Sequence, residues 1–401
     1  MANNPFSDLV SEQYSHWPYP TPITDLPDWL ATNWQWFDPS HAHQMFWPDR
    51  DYKPDMDILI AGCGSNQAAV FAYTNPSAKV LAIDVSAGAL QHHQFLKKKY
   101  GLNNLELKLL PIEQSRDMQQ KFDLIVSTGS LHHLLDPQQG LSALAGCLKQ
   151  EGVAAIMVYA KYGRVGVKVM QSVFRDLALR QDDKSILIVK EAIDSLPEMH
   201  PARTYMGLAL DLHSNAEWVD TYLPGREASY SIDECIDLVS AAGLVFQDLF
   251  LKSVYYPPLN SPNSFHSLVA AQPRSRQWSI MERMNFSNAC HFFMACRPDR
   301  SLSSYEIDFM SDAVFDFVPS FRYRCGVHGN NVSRPGWKMA LDHTSLALAR
   351  KVDGRKTINE ILLEASQEGL FVAHLREVRD KYVRDVFQAF WQLDCLSMRL
   401  A

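Results

Sequence analysis

The chain has 401 residues, a length that favours two domains over a single core. A formal net charge of -7 argues against a broad electrostatic hold on nucleic acid, and 7 scattered cysteines do not form a disulfide framework. The opening Met1-Ala2-Asn3-Asn4-Pro5 lacks a basic, apolar leader and no run is apolar for long enough to span a bilayer, so a cytoplasmic chain without membrane insertion is expected.

Residues 1–50 read as an aromatic cover of short helices and turns, with Trp29, Trp34 and Phe37 at near-helical intervals. Within it, Tyr14-Ser15-His16-Trp17-Pro18-Tyr19-Pro20 either closes over a ligand and offers the Tyr14 and Tyr19 hydroxyls, or serves only as a hydrophobic latch. Asp57-Ile58-Leu59-Ile60 then reads as a buried strand, and Ala61-Gly62-Cys63-Gly64 as a sharp turn feeding a helix that ends before Asn75-Pro76. A second strand, Lys79-Val80-Leu81-Ala82-Ile83-Asp84, ends in an acid about 20 residues beyond Gly64, the distance at which a β-α-β unit places a carboxylate over a ribose. A dinucleotide fingerprint would put a third glycine where Gln67 stands, so a pyrophosphate ligand is disfavoured.

Ser86 caps the next helix, which runs to Tyr100-Gly101, and Lys97-Lys98-Lys99 at its end is a solvated face. Strands follow at 105–110, 122–127 and 153–159, with a helix expected over 141–148. Residues 161–230 are too long for an idle loop and read as a substrate-covering insertion with helices near 167–179 and 185–193. Ser231-Ile232-Asp233-Glu234 is a capping box that opens another helix, and strands at 244–250 and 289–295 bracket a second insertion at 253–288. After Arg297-Pro298-Asp299-Arg300-Ser301 comes a separate, mainly helical module of residues 300–401, containing an Asp353-Gly354 turn and a Thr357 cap. Cys325-Gly326-Val327-His328 and the pair Cys290 and Cys296 lack the partners of a metal site and read as ordinary thiols.

Ala61-Gly62-Cys63-Gly64-Ser65, Ala82-Ile83-Asp84, Phe122-Asp123 and Leu131-His132-His133-Leu134-Leu135-Asp136-Pro137 together resemble the motifs of class I S-adenosylmethionine-dependent methyltransferases. The resemblance covers roughly residues 55–160 in sequence and extends in topology to about residue 297. It implies an α/β, Rossmann-like, doubly wound and mostly parallel seven-stranded sheet with an antiparallel last strand, here residues 51–297. It also implies S-adenosyl-L-methionine as cofactor and S-adenosyl-L-homocysteine as product. In that reading Gly62, Cys63 and Gly64 meet the methionine moiety, Asp84 the ribose, Ile112 the adenine, and Ser127 with Thr128 the sulfonium. Ala61, Gln67, Val85 and Glu113 complete the expected cofactor set. A usual acid after the third strand is replaced by Leu110-Pro111-Ile112-Glu113, so Glu113 or a backbone carbonyl would stand in for it. Residues 346–362 of the C-terminal module resemble PqqD-like and winged-helix peptide-binding domains.

Methyl transfer requires alignment and water exclusion more than a catalytic triad. His132, His133, Tyr14, Tyr19, Tyr159 and Tyr162 are the candidates for orienting or deprotonating an acceptor. The reading is a methyltransferase acting on an oxygen or nitrogen nucleophile of a small molecule or peptide. No Asn-Pro-Pro-Tyr-like motif points to DNA or glutamine. A non-catalytic cofactor-binding or regulatory protein, and an NAD-dependent oxidoreductase, remain as alternatives.

Overall fold

Seven strands form one sheet in the computed structural model, which describes residues 9–208, 212–285, 288–371 and 375–400. The opening residues 1–8, read above for a leader, lie outside the described residues. The strands are β1 (Asp57–Ala61), β2 (Lys79–Asp84), β3 (Leu105–Leu109), β4 (Phe122–Thr128), β5 (Leu148–Tyr159), β6 (Val245–Leu249) and β7 (Cys290–Cys296). Their order is β3-β2-β1-β4-β5-β7-β6. β1 to β5 are parallel, whereas β7 is antiparallel to both β5 and β6. This is the Rossmann-like sheet with a reversed last strand that the motifs imply. Ile58, Leu59, Ile60, Leu124, Ile125 and Val126 are all buried, as continuous apolar runs must be when helices cover both faces of a parallel sheet. The order reverses between β1 and β4, and such a switch point opens a crevice at the strands' carboxyl ends.

Local signals placed several helices, but Trp34 and Phe37, read at near-helical intervals from Trp29, lie outside helix Leu26–Thr32, and one expected helix is shifted. Ser86 Oγ accepts from Ala89 N at the start of helix Ala87–Tyr100, and the Ser231 and Glu234 capping box opens Ile232–Ala241. The helix expected over 141–148 instead spans Pro137–Ala145. Asp136 caps it by accepting from Gln139 N and Pro137 occupies its first turn, while Leu148 already belongs to β5.

The described chain divides into two compact units. The first contains residues 9–37, 54–249 and 282–299, and includes the sheet. Among its described residues the long insertion contains four helices, Val165–Asp176, Asp183–Ser195, Pro201–Leu208 and Asn215–Tyr222. They share a core of their own, built from Val167, Met170, Phe174, Ile186, Val189, Trp218 and Tyr222 among others.

The second unit contains residues 38–53, 250–281 and 300–400. Beside its helices lie short strands that the sequence reading did not anticipate. β9 (Gly326–His328), β10 (Asn331–Arg334) and β11 (Trp337–Ala340) form an antiparallel sheet, and β8 (Phe317–Phe321) pairs with β12 (Leu396–Leu400). Residues 38–53 and 250–281, expected as part of the cover and as a sheet-edge insertion, pack within this unit. Arg300 Nη2 donates to Phe46 O at 2.9 Å, Ser397 Oγ to Gln44 Oε1 at 2.7 Å, and Lys252 N to Asp394 Oδ1 at 2.8 Å. Among the described residues no helix is long and apolar enough to cross a membrane.

Candidate active site

The first half of the site is the turn after β1. Gly62 and Gly64 have φ of 74° and 51°, in the left-handed region. A Cβ on Gly62 would lie 2.1 Å from Ser130 Oγ, and one on Gly64 would lie 3.1 Å from Tyr19 O. The turn therefore passes between β4's exit and the N-terminal segment only because both positions lack side chains. Asp84, at the end of β2, accepts from Gly64 N at 3.0 Å and from Ser86 N at 2.8 Å. Burial raises the Asp84 carboxyl above its ordinary pKa, and these amide hydrogens oppose the rise. Asn66, buried, ties the N-terminal segment over the turn: its Nδ2 donates to Thr21 O and its Oδ1 accepts from Ile23 N, both at 2.8 Å. Gln67 Nε2 donates to Thr128 Oγ1 at 3.1 Å and joins the helix start to the end of β4. His93, also buried, has its pKa lowered to about 4 by burial and is neutral at pH 7.

The second half is a cluster drawn from four distant parts of the chain. Asp220, in helix Asn215–Tyr222, accepts from Tyr14 Oη at 2.7 Å and from Tyr159 Oη at 2.9 Å. Tyr14 Oη is also 3.1 Å from His133 Nε2, and His133 Nδ1 is 2.7 Å from Arg226 O. Burial and the Asp220 charge push both tyrosine hydroxyls well above their ordinary pKa, so each keeps its proton. Tyr159 lies between two planar groups: the Arg164 guanidinium sits 3.7 Å from its ring centroid, and the His132 ring stacks on it at 4.0 Å. Arg164 is itself fully buried and paired with Glu227 at 2.8 Å, which also takes Lys168 at 2.6 Å. Burial, with His133 and Arg164 nearby, holds His132 well below the ordinary histidine pKa.

One cavity of about 980 Å³ joins the two halves. Of the residues expected at the cofactor, Gly62, Cys63, Gly64, Gln67, Asp84, Val85, Ile112, Glu113 and Thr128 line it. Tyr14, Tyr19, His133 and Tyr159 line it too. Four expected residues do not: Ala61 is buried within β1, and Ser127 is buried on the face opposite Thr128, as the alternation of a strand requires. His132 turns into the packing beneath Tyr159, and the Tyr162 side chain is not part of the cavity wall, where Tyr205 stands instead. Both segments expected to cover the centre contribute, the first through Tyr14, Pro18, Tyr19 and Pro20 and the insertion through Tyr205, Leu212, Glu217 and Asp220. Sequence reasoning missed Asp220, Arg226, Asn66 and Ser130. The Ser214-x-x-Glu217 capping box was the available signal for Asp220, since it starts a helix on which Glu217 and Asp220, three apart, share a face.

Known proteins share parts of this sequence and this fold. Residues 59–154 match the family described as a methyltransferase domain. An uncharacterised protein of Synechococcus sp. is 31% identical over 251 residues, which are 60% of this chain and 59% of the relative. A malonyl-[acyl-carrier protein] O-methyltransferase of Acetivibrio thermocellus is 29% identical over 112 residues, 28% of this chain and 38% of that protein. The chain thus spans 59% and 38% of the lengths of these relatives. The solved structure of PKMT2 from Rickettsia typhi in complex with AdoHcy shares the fold, with a TM-score of 0.66 at 16% identity over 95% of this chain and 77% of that one.

Proposed function

We propose, from the methyltransferase-domain match of residues 59–154, that the chain is a class I S-adenosylmethionine-dependent methyltransferase and transfers a methyl group to an oxygen or nitrogen nucleophile of a small molecule or peptide. The observation that carries this reading is the single cavity joining the glycine turn and Asp84 to the hydroxyl cluster around Asp220. The first half fits S-adenosylmethionine. Gly62 and Gly64 bring turn backbone to the cavity wall, Asp84 offers its remaining lone pairs to ribose hydroxyls, and Ile112 gives an apolar face to a purine. Gln67 in place of a third glycine suits a ligand with no pyrophosphate.

Bound there, the cofactor supplies a methyl carbon on a sulfonium sulfur, open to in-line displacement. Every other contribution is the protein's. Tyr14, Tyr159 and His133 face the acceptor's side of the cavity and can orient a hydroxyl or amine, while Pro18, Tyr19 and Pro20 close the N-terminal side against water. A volume of about 980 Å³ is at the top of the roughly 300–1,000 Å³ range for ligand pockets, which leaves room for an acceptor group beside a cofactor. The O-methyltransferase relative favours oxygen over nitrogen as the accepting atom. Scattered cysteines, odd in number and without framework spacing, support a cytoplasmic reading of this activity.

Calorimetric titration with S-adenosylhomocysteine tests the cofactor, and transfer of labelled methyl groups into cell extract tests turnover. Asp84→Ala should weaken cofactor binding at least tenfold in a folded protein, since a charged hydrogen bond is worth roughly 1.5–3 kcal/mol. No heat with S-adenosylhomocysteine, or an unchanged affinity in Asp84→Ala, would overturn the assignment.

A further inference from the structure

We propose that Tyr14 and His133 form a relay for the proton released by the methyl acceptor, with Asp220 as the positioning residue that stabilises the protonated ring. The proposal rests on the methyltransferase reading above. Its basis is a shortage of one hydrogen. The Arg226 carbonyl can only accept, so His133 Nδ1, 2.7 Å away, carries its hydrogen and Nε2 is the position that varies. Tyr14 Oη stands 3.1 Å from that Nε2 and 2.7 Å from Asp220 Oδ1, yet a tyrosine has one proton to donate. When Tyr14 donates to Asp220, its contact with His133 is a hydrogen bond only if Nε2 is protonated. When His133 is neutral, Tyr14 can turn its proton to Nε2, and Asp220 still accepts from Tyr159 Oη at 2.9 Å. The same heavy-atom arrangement therefore serves two states that differ by one proton.

The surroundings select Asp220 as the counter-charge. Its Oδ1 lies 3.9 Å from His133 Nε2, and both side chains are buried. Tyr14 faces the ring from helix Leu9–His16, Tyr159 from β5 with centroids 6.1 Å apart, and His132 from the same turn at 4.3 Å. Arg226 contacts it through its carbonyl and also donates from Nε to His133 O at 2.7 Å. The Arg226 guanidinium is thus the cation in contact with His133, while Arg164 and Lys168, near the adjacent His132, are engaged by Glu227.

In the relay the acceptor's proton moves to Tyr14 Oη as Tyr14's own proton moves to His133 Nε2. The acceptor atom bonds to the methyl carbon, the carbon–sulfur pair remains on sulfur, and nothing is oxidised or reduced. The imidazolium is then held by Tyr14, Asp220 and the Arg226 carbonyl until it loses its proton to water.

Nitrogen-15 NMR of the full chain with labelled histidines reads the relay without any acceptor, and His133→Gln identifies the resonances. The expected result is a neutral ring with hydrogen on Nδ1, and a titration midpoint that falls by at least one pH unit, tenfold in proton affinity, in Asp220→Asn. If Asp220→Asn does not fold by circular dichroism, Tyr14→Phe carries the test, because it removes the acceptor of the imidazolium N–H and should lower the midpoint too. A neutral ring with hydrogen on Nε2, or a midpoint unmoved in the folded variant, overturns the relay. Labelled methyl transfer into extract should show an acidic limb at the His133 midpoint that shifts to lower pH in Asp220→Asn; a stationary limb also overturns it. Calorimetry with S-adenosylhomocysteine run alongside separates the two failures, since absent binding sinks the methyltransferase reading while the His133 titration still decides the relay.

Discussion

His93 makes stability depend on pH. Burial lowers its pKa from 6.5 to about 4 in the folded chain. Between those values the unfolded chain binds a proton that the folded one refuses, so stability is complete above about pH 6.5 and falls as pH drops toward about 4. The full loss is about 3 kcal/mol at 1.36 kcal/mol per unit. His132 is depressed by burial as well and adds in the same direction. Urea unfolding at stepped pH should show the decline, with a shallower slope in His93→Gln; identical slopes in the two proteins would remove His93 from the account. At this scale the sequence was only partly legible. The near-neutral reference pKa of a histidine is visible in its letter, but His132 and His133 differ only in which way a short turn points each ring. One packs under Tyr159 and the other faces the cavity.

At the scale of elements, the insertion depends on one close crossing. A Cβ on Gly166 would lie 2.1 Å from Ala202 N and 2.3 Å from Pro201 C, both backbone atoms that cannot swing aside. Gly166→Ala must therefore separate helices Val165–Asp176 and Pro201–Leu208, at a cost of roughly 1–3 kcal/mol for overpacking. We expect a lower unfolding temperature and faster proteolysis within 165–222, and unchanged values on both measures would show that the crossing adapts. Sequence periodicity found helices in this region, but not that Gly166 marks their contact, because a glycine inside a helix carries no sign of what approaches it. The N-terminal helix is likewise fastened by long-range bonds: buried Gln13 Oε1 accepts from Gly225 N and from Gln181 Nε2, both at 2.9 Å.

At the scale of the molecule, the second unit is assembled from three separated segments. Truncation near Arg300, which looks clean when the boundary is drawn from composition, would strip residues 38–53 and 250–281 of their partners. Phe46 and Phe250 stack with centroids 6.0 Å apart, Leu400 N donates to Pro48 O, and Lys252 and Ser253 amides both donate to Asp394. A chain ending at Arg300 is expected to be less soluble and to unfold at a lower temperature than the full chain. Equal solubility and unfolding temperature would mean that the retained segments do not need the C-terminal residues.

Whereas the seven-stranded order was implied by the family resemblance, the sequence by itself determined the first two strands, the glycine turn, the acid after β2 and the caps at Ser86, Ser231 and Thr357. Each of these is decided within one β-α-β unit or one helical turn, where sterics and backbone hydrogen bonding act between near neighbours. Only the tertiary structure decided that Asp220 meets Tyr14, 206 positions away, and that Thr128 rather than Ser127 faces the cavity. It also decided which unit claims residues 38–53. A carboxylate on an amphipathic helix looks the same in sequence whether it faces water or a buried pair of tyrosines, because its partner is chosen by how helices pack and not by any residue beside it.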